Sequence, residues 1–343
     1  MEKIRLSDFD YELPPELIAQ EPVAKRDRSR MMVLRRHQGV IGQCLFTGFP
    51  DYLNPGDLLV MNNTRVIPAR LLGRRLPDGG EAELLLLHRL AGGDWIAMVR
   101  PGRKLKPGAV VRFARGLKAE IKDYAGRGQR LVSFTGPEPL EQVLPFIGQI
   151  PLPPYIKQEL KDPGQYQTIY AAEDGSAAAP TAGFHFTSAV FEELRRKGVR
   201  YTFVTLHIGP GTFQPVREED IRRHKMHREY YRLGAVAAGQ INAARRQGGR
   251  IVAVGTTACR VLEAAANADG YLQEQEGWTD LFIYPGYRFK AVDALLTNFH
   301  LPRSTLLMLV CAFGGHTPVM EAYRAAVQEK YRFYSFGDCM LLL

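Results

Sequence analysis

The chain has 343 residues, with 45 Lys and Arg against 36 Asp and Glu, so its formal net charge is +9. A hydrophobic content of 45% and a charged content of 24% are typical of a globular protein and exclude a disordered chain, a collagen and a coiled coil. No apolar run approaches the roughly 20 residues of a membrane span, the first residues lack a signal-peptide core, and the four cysteines form no CxxC pair. We therefore expect free thiols, no metal site, no membrane association and a cytoplasmic location.

The surplus charge is concentrated in one part of the chain. Residues 61–150 hold 15 Lys and Arg against 8 Asp and Glu, a net of +7, and the rest of the chain carries +2. Such a local surplus is typical of nucleic-acid-binding surfaces, although many basic proteins bind no nucleic acid.

In chain order, the first clear element is a predicted strand at 57–63. From Arg65 onward the pattern changes to short strand-like runs at about ten-residue spacing, separated by Gly and Pro turns. This pattern favours a small barrel or sandwich, and its runs are VIPARLLG, EAELLLLHRL, DWIAMVR, AVVRF, LKAEIKDY and RLVSFTG. Residues 138–146 predict a short closing helix, and the Pro-rich stretch 148–157 predicts a return linker.

After Thr187, predicted helices alternate with predicted strands, which indicates a parallel α/β arrangement. The helices are expected at 188–198, 235–249 and 256–268, and the strands at 199–209, 227–234, 250–255 and 278–286. The sequence thus predicts a discontinuous α/β domain, 1–64 and 151–343, interrupted by a basic β domain at 65–150.

Three glycine-containing turns could hold a ligand. In residues 179–186 (APTAGFHF), small residues allow close backbone approach and His185 could transfer a proton; the alternative is a tight turn whose aromatic rings fill the core. Residues 206–216 (LHIGPGTFQPV) contain the end of a predicted strand that runs into a Gly-rich loop, and open α/β sheets bind ligands at such strand ends. Residues 254–258 (VGTTA) open a helix with free N–H donors, although Thr256 or Thr257 could simply cap that helix. Neither GxGxxG nor a P-loop is present.

Four further clusters are polar or charged. His224 and His227 precede Glu229, but HExxH is missing, so acid–base chemistry or surface charge is favoured over a metal. Residues 297–305 (TNFHLPRST) precede an apolar segment and are either functional or a helix cap at Ser304 or Thr305. Asp338 in the aromatic tail could hold a ligand hydroxyl or orient a base, or the tail could only pack. The basic run 25–30 could contact phosphate or form a solvated face.

Taken in order, eight motifs resemble one family over nearly the whole chain. They are LIAQEP…RDRSR, VMNNTRVIPARL, AAPTAGFHFT, LHIGPGTFQPV, HKMHREYY, VAVGTTACRVLE, TNFHLPRSTLLML and YSFGDCM. They resemble the S-adenosylmethionine:tRNA ribosyltransferase-isomerases of queuosine biosynthesis. Mild departures occur at Asn63, Gln214 and Cys339, and Asn63 is given no acid–base role.

The resemblance implies a large α/β barrel-like domain with an inserted small β-barrel domain, in a monomeric, metal-free enzyme without a resident cofactor. The implied reaction transfers and isomerises the ribosyl unit of S-adenosylmethionine, a co-substrate. The acceptor is the aminomethyl group of a 7-deazaguanine at the tRNA wobble position, and the products are epoxyqueuosine-tRNA, adenine and methionine.

This chemistry needs a general base near the sulfonium and a proton for the departing adenine. The candidates are His185, His207, His300 and Asp338, with Glu229 in reserve. The residues expected to hold S-adenosylmethionine, some by stacking on adenine or on the extruded base, are Thr181, Gly183, Phe184, Gly209, Gly211, Thr212, Phe213, Gly255, Thr256, Thr257 and Asn298. Those expected to contact RNA are Arg26, Arg28, Arg30, Arg65, Arg103, Lys104, Lys106 and Arg303.

Two alternatives from other classes remain open. One is an S-adenosylmethionine-dependent tRNA methyltransferase. The other is a non-catalytic RNA-binding protein, in which the basic β domain would carry the whole function, although most polar clusters lie outside that domain.

Overall fold

The computed structural model describes residues 4–36, 38–126, 128–158, 160, 162–209, 216 and 218–343. The chain forms two compact units. The first consists of Met1–Thr64, Pro154–Ala172 and Pro180–Leu343, and the second of Arg65–Pro153 and Glu173–Ala179. The short segment 173–179, which the sequence assigned to the α/β domain, therefore belongs to the second unit.

Within the described ranges, the strands are β1 (Arg30–Arg35), β2 (Gly39–Leu45), β3 (Leu58–Asn62), β4 (Thr64–Val66), β5 (Arg70–Leu76), β6 (Glu81–Arg89), β7 (Trp95–Arg100), β8 (Val110–Arg112), β9 (Lys118–Tyr124), β10 (Gln129–Thr135), β11 (Gly148–Gln149), β12 (Glu173–Ser176), β13 (Arg200–Leu206), β14 (Glu229–Leu233), β15 (Ile251–Val254), β16 (Gln275–Thr279), β17 (Ala294–Asn298) and β18 (Cys339–Leu342). The helices are α1 (Leu140–Ile147), α2 (Ser188–Arg196), α3 (Ala235–Arg246), α4 (Gly255–Ala265), α5 (Thr305–Gly314) and α6 (His316–Gln328).

The first unit is built on a sheet whose nine described strands have the order β16-β14-β13-β3-β15-β17-β18-β1-β2. Neighbours in the run β13-β3-β15-β17 are parallel, and so are β18 and β1. The pairs β16–β14, β14–β13, β17–β18 and β1–β2 are antiparallel. The α/β class is confirmed, whereas the expectation of a parallel sheet is wrong at these strands. Alternation of helices and strands does not fix strand direction, and two helices separate β17 from β18.

The core of this unit lies around its central strands. Every residue of β3, β15, β17 and β18 is buried. Strands buried on both faces read as continuous apolar runs such as LLVM and IVAV. Helix α4 packs against β13, β15 and β17.

Two of the six described helices begin with a side-chain cap. Thr187 accepts the Val190 N–H at 3.4 Å at the start of α2, and Ser304 accepts the Leu307 N–H at 3.2 Å at the start of α5. Helix α4 begins at Gly255 and, like α1, α3 and α6, has no side-chain cap among the described residues. The predicted capping role of its two threonines is therefore wrong, because Thr256, which is buried, and Thr257 both fall inside the first turn.

The second unit contains a closed barrel. Its sheet order is β11-β5-β6-β7-β10-β9-β8, and β5 also pairs with β8, which closes six strands into a ring. Alternate residues point inward, as Leu84 and Leu86 of β6 do, and α1 packs Val143 and Leu144 against the same core. The predicted inserted β-barrel and its closing helix are confirmed.

The predicted strand at 278–286 is wrong beyond its first residues. The observed strand is β16, which ends at Thr279. Residues 280–286, all of which the structure describes, form no strand. The sequence also did not predict β1, β2, β17, β18 and the helices α5 and α6. In the described part of the chain, no single helix has the length and apolarity to cross a membrane; α5 and α6 meet that criterion only jointly, with a 118° bend between them.

Candidate functional site

Most candidate residues of the first unit lie at one edge of its sheet. β3, β13, β15 and β17 are parallel, so their carboxyl ends share an edge, where open α/β sheets bind ligands. β18 and β1 begin at this edge, since Cys339 lies opposite both Asn298 and Met31. β14 begins there too, because Leu206 lies opposite Tyr231 in antiparallel register.

His185 sits in a buried polar chain at this edge. Its side chain is 3% exposed, with Nδ1 2.6 Å from Ser29 Oγ and Nε2 3.2 Å from Asn298 Oδ1. Asn298 Nδ2 donates to the Tyr334 carbonyl at 2.9 Å, which leaves Oδ1 to face the imidazole. Both ring nitrogens therefore face protein groups.

This chain of polar groups satisfies the imidazole in either protonation state. In the neutral ring, Nε2–H donates to Asn298 and Nδ1 accepts from the Ser29 hydroxyl. In the imidazolium both nitrogens donate, and the Ser29 hydroxyl turns to the Arg26 carbonyl, 3.2 Å away. Burial lowers the pKa of His185 to about 4, so the ring is neutral at pH 7.

Asp338 is committed to the backbone. It is 2% exposed, and its carboxylate accepts the N–H groups of Arg30 at 2.7 Å and Arg332 at 2.8 Å. Burial raises the pKa of Asp338. The contacts join the start of β1 to a tight turn in which Tyr334 has φ of 72° and a Cβ at Gly337 would collide with the Arg332 carbonyl. The geometry favours a positioning role over the proton transfer that the sequence suggested.

His300 is held by hydroxyl groups. Its Nε2 is 2.8 Å from Thr297 Oγ1, its N–H donates to the Tyr323 hydroxyl at 3.0 Å, and the Tyr11 hydroxyl donates to its carbonyl. Burial lowers the pKa of His300 to about 3. The ring is therefore neutral at pH 7.

His207 is half-buried and directly follows β13. Its Nδ1 is 2.8 Å from Thr64 Oγ1, and its ring stacks on Tyr230 with centroids 5.7 Å apart. The buried Asn62 amide bonds the N–H and carbonyl of Leu206, each at 3.0 Å, and so fixes the end of β13. These contacts orient the imidazole at the edge of the sheet.

Glu229 forms a buried ion pair with Arg260 of α4, and each residue is 4% exposed. The other carboxylate oxygen accepts the Gly209 N–H at 3.0 Å. Arg260 Nε donates to the Leu281 carbonyl at 3.2 Å, whereas its Nη2 is buried with no acceptor among the described residues. A carboxylate held in this way is better suited to binding and positioning than to proton transfer.

The structure describes only part of the two glycine-containing turns at 206–216 and 254–258. Gly209 is described, but the predicted Gly211, Thr212 and Phe213 lie outside the described residues. Gly255 has φ of +87°, which favours glycine, and a Cβ there would lie 3.5 Å from Ala182 Cβ. The first turn of α4 therefore adjoins the motif 179–186.

The interior of that motif is packed. Thr181 is half-buried, and a Cβ at Gly183 would collide with the Tyr170 hydroxyl. Phe184 is 5% exposed and stacks on Phe336 at 5.9 Å. This packing favours the core-filling alternative over the predicted stacking of Phe184 on a base.

The predicted RNA-binding residues divide into those with a hydrogen bond or an ion pair described below and those without one. Arg26 is half-buried and donates to the carbonyls of residues 164, 165 and 167, and burial lowers the pKa of Arg26. Arg30, Arg65 and Arg303 form ion pairs with Glu329, Asp174 and Asp10, respectively. Arg28, Arg103, Lys104 and Lys106 are exposed and belong to none of these ion pairs.

Two residues of the site, Ser29 and Arg260, were not singled out from the sequence. The available signals were a small polar residue directly before a buried strand and a charged residue within the apolar face of a helix. In the described part of the chain, no three His, Cys, Asp or Glu side chains are placed to hold a metal ion. The cysteines are free thiols.

Comparison with known proteins gives one result along the whole chain. A family model described as queuosine biosynthesis protein matches residues 6–342. Proteins named S-adenosylmethionine:tRNA ribosyltransferase-isomerase from Moorella thermoacetica and Thermoanaerobacter sp. are 55% and 53% identical, over 99% of this chain and 100% of each relative. A crystal structure described as S-adenosylmethionine tRNA ribosyltransferase from Thermotoga maritima is 43% identical, covers 98% of this chain and 100% of its own, and has a TM-score of 0.58. The chain belongs to the queuosine biosynthesis protein family.

Proposed function

We propose that this chain is an S-adenosylmethionine:tRNA ribosyltransferase-isomerase. It transfers and isomerises the ribosyl unit of S-adenosylmethionine onto the aminomethyl group of a 7-deazaguanine at the tRNA wobble position. Epoxyqueuosine-tRNA forms, and adenine and methionine leave. The observation that carries the proposal is the match at 55% identity, over the full length of the relative, to an enzyme of that name.

The reaction sets three proton requirements. The sulfonium acidifies the adjacent 5′ carbon, so a base must take that proton; adenine must gain a proton as it leaves; and the attacking amine must be neutral. Groups that are neutral imidazoles near pH 7 suit these tasks. Three histidines lie near the carboxyl ends of the parallel strands, each within hydrogen-bond distance of a hydroxyl group, and this arrangement supports such roles.

We assign the general base to His207. It is the half-buried imidazole at the end of β13, with Nδ1 bound by Thr64 and its face on Tyr230. His185 acts through Ser29, because both of its nitrogens are enclosed. Asp338 and Glu229 position backbone rather than move protons.

The second unit supplies RNA binding in this proposal. The basic surplus falls on residues 61–150, and Arg103, Lys104 and Lys106 project from the exposed connection after β7. Lysine and arginine side chains in such a position neutralise phosphates. We further propose that the protein works in the cytoplasm as a monomer and without a resident cofactor, S-adenosylmethionine being consumed.

The test is incubation with S-adenosylmethionine and tRNA that carries the aminomethyl-deazaguanine, with separation of the small products. Release of adenine and methionine in equal amounts, dependent on that tRNA, is expected. Formation of S-adenosylhomocysteine would instead indicate a methyltransferase. Binding of tRNA with no adenine released would indicate a non-catalytic RNA-binding protein.

A further inference from the structure

Helix α4 carries two buried polar atoms, Thr257 Oγ1 and Arg260 Nη2, that have no hydrogen-bond partner within the described residues. Residues three apart lie on the same face of a helix, so both atoms belong to one side of α4. An unpaired buried donor is costly, above all on a charged group, and such groups are rare in native proteins. A ligand that accepts hydrogen bonds would remove this cost.

The guanidinium of Arg260 is fixed by its other contacts. Its Nη1 pairs with Glu229, and its Nε donates to the Leu281 carbonyl at 3.2 Å. Glu229 is itself fixed by the Gly209 N–H at 3.0 Å. Nη2 is thus the remaining nitrogen of a rigidly held cation that is 4% exposed.

The chemistry of this cluster is that of an α-amino acid site. A guanidinium and a hydroxyl donate to a carboxylate, and a carboxylate such as Glu229 accepts from an ammonium group. The cluster lies at the carboxyl ends of β13 and β15, the edge where this sheet type binds ligands. Its residues do not carry the proton transfers assigned above to the histidines.

We propose that Arg260 and Thr257 bind the carboxylate of the methionine half of S-adenosylmethionine, and that Glu229 receives its ammonium group. This assignment rests on the proposed function, which supplies the co-substrate. It predicts that the three residues set affinity for the co-substrate rather than the rate of bond breaking.

The test compares binding of S-adenosylmethionine and of decarboxylated S-adenosylmethionine by calorimetric titration of the full chain. The wild type should prefer the carboxylate-bearing ligand by about 10- to 100-fold. In Arg260→Met and in Thr257→Val, affinity for S-adenosylmethionine should fall while affinity for the decarboxylated ligand stays constant. Because the Thr257 hydroxyl has no partner in the described part of the fold, Thr257→Val should bind less tightly without losing thermal stability.

Thr168→Val is the matched control, since Thr168 Oγ1 is also buried with no partner among the residues described but lies outside α4. Its ligand preference should equal that of the wild type. Equal loss of affinity for both ligands in folded Thr257→Val, or an unchanged preference, overturns the assignment. Adenine and methionine release by the wild type tests the proposed function separately, so a wild type that is active but indifferent to the carboxylate defeats this inference alone. A wild type that binds no S-adenosylmethionine defeats both.

Discussion

Residue types at the site were readable from the sequence, but their roles were not. His185 and Asp338 stood out in motifs, yet their function depends on partners far along the chain. Ser29 is 156 positions from His185, and Asn298 is 113 positions away. A local pattern carries no information about hydrogen bonds over such separations. The same holds for Glu229, whose carboxylate pairs with Arg260 of α4, 31 positions later in the chain.

His185→Ala should reduce turnover by about 10²- to 10⁴-fold and tRNA affinity far less, because it removes the buried imidazole that acts through Ser29. Single-turnover adenine release and tRNA titration measure the two effects. His316→Ala, at an exposed histidine of α6, is the control. Equal losses of turnover and tRNA affinity would place His185 in folding or RNA binding.

Protein stability should depend on pH through the buried histidines. Burial holds the pKa values of His185 at about 4 and of His300 at about 3, below the usual 6.5. As pH falls from about 6.5 to 4, these histidines become protonated in the unfolded chain but stay neutral in the folded chain. The free energy of unfolding therefore decreases, by up to about 1.4 kcal/mol per pH unit for each histidine. Urea unfolding at several pH values should show a shallower decline in His300→Gln and the wild-type decline in His316→Gln. An identical decline in His300→Gln would show that His300 does not contribute.

At the scale of elements, the sequence predicted structure best where end signals were explicit. The Ser304 cap and the glycines that follow α2 and α3 lie where they were expected. Helix α4 was expected at 256–268, but its predicted threonine cap was wrong, because the helix begins at Gly255, which has a positive φ that the sequence does not reveal. The apolar run that forms α5 was not assigned as a helix, because a short run buried all round shows neither helical nor strand periodicity.

Two helical glycines should respond oppositely to alanine. A Cβ at Gly239 in α3 meets no described atom within 4 Å, so Gly239→Ala should raise the free energy of unfolding by about 0.5–1 kcal/mol. A Cβ at Gly314 in α5 would lie 2.7 Å from methyl carbons of Leu342 and Val319, so Gly314→Ala should lower it by about 1–3 kcal/mol. Chemical denaturation of both variants checks the pair, and a neutral Gly314→Ala would contradict the packing described for α5.

At the scale of the whole molecule, the two units have separate cores, and most of the surplus positive charge falls within residues 61–150. The cluster around the central strands lies wholly in the first unit, and the barrel cluster lies wholly in the second. The boundary at Arg65 was predictable, because the period of the hydrophobic pattern changes there. The segment 173–179 was not, since it is too short to show a period of its own.

Replacing Arg103, Lys104 and Lys106 with alanine should weaken tRNA binding and flatten its salt dependence. Each phosphate that the protein no longer neutralises lowers the slope of log affinity against log salt by about 0.7–0.9. Arg195→Gln removes one exposed charge from α2 and should leave the slope unchanged. An unchanged slope in the triple variant would show that this connection does not face the tRNA.

The placement of β18 has a consequence for biosynthesis. This strand lies between β17 and β1, and Met31 is opposite Cys339, so the middle of the sheet joins segments that are made at widely separated times. Until residues 339–342 have left the ribosome, β17 and β1 each present an unpaired apolar edge, a template for intermolecular pairing. The nascent chain therefore carries the open edge of β1 long before that of β17 is made, and protection by chaperones would matter most between the synthesis of β17 and the emergence of β18.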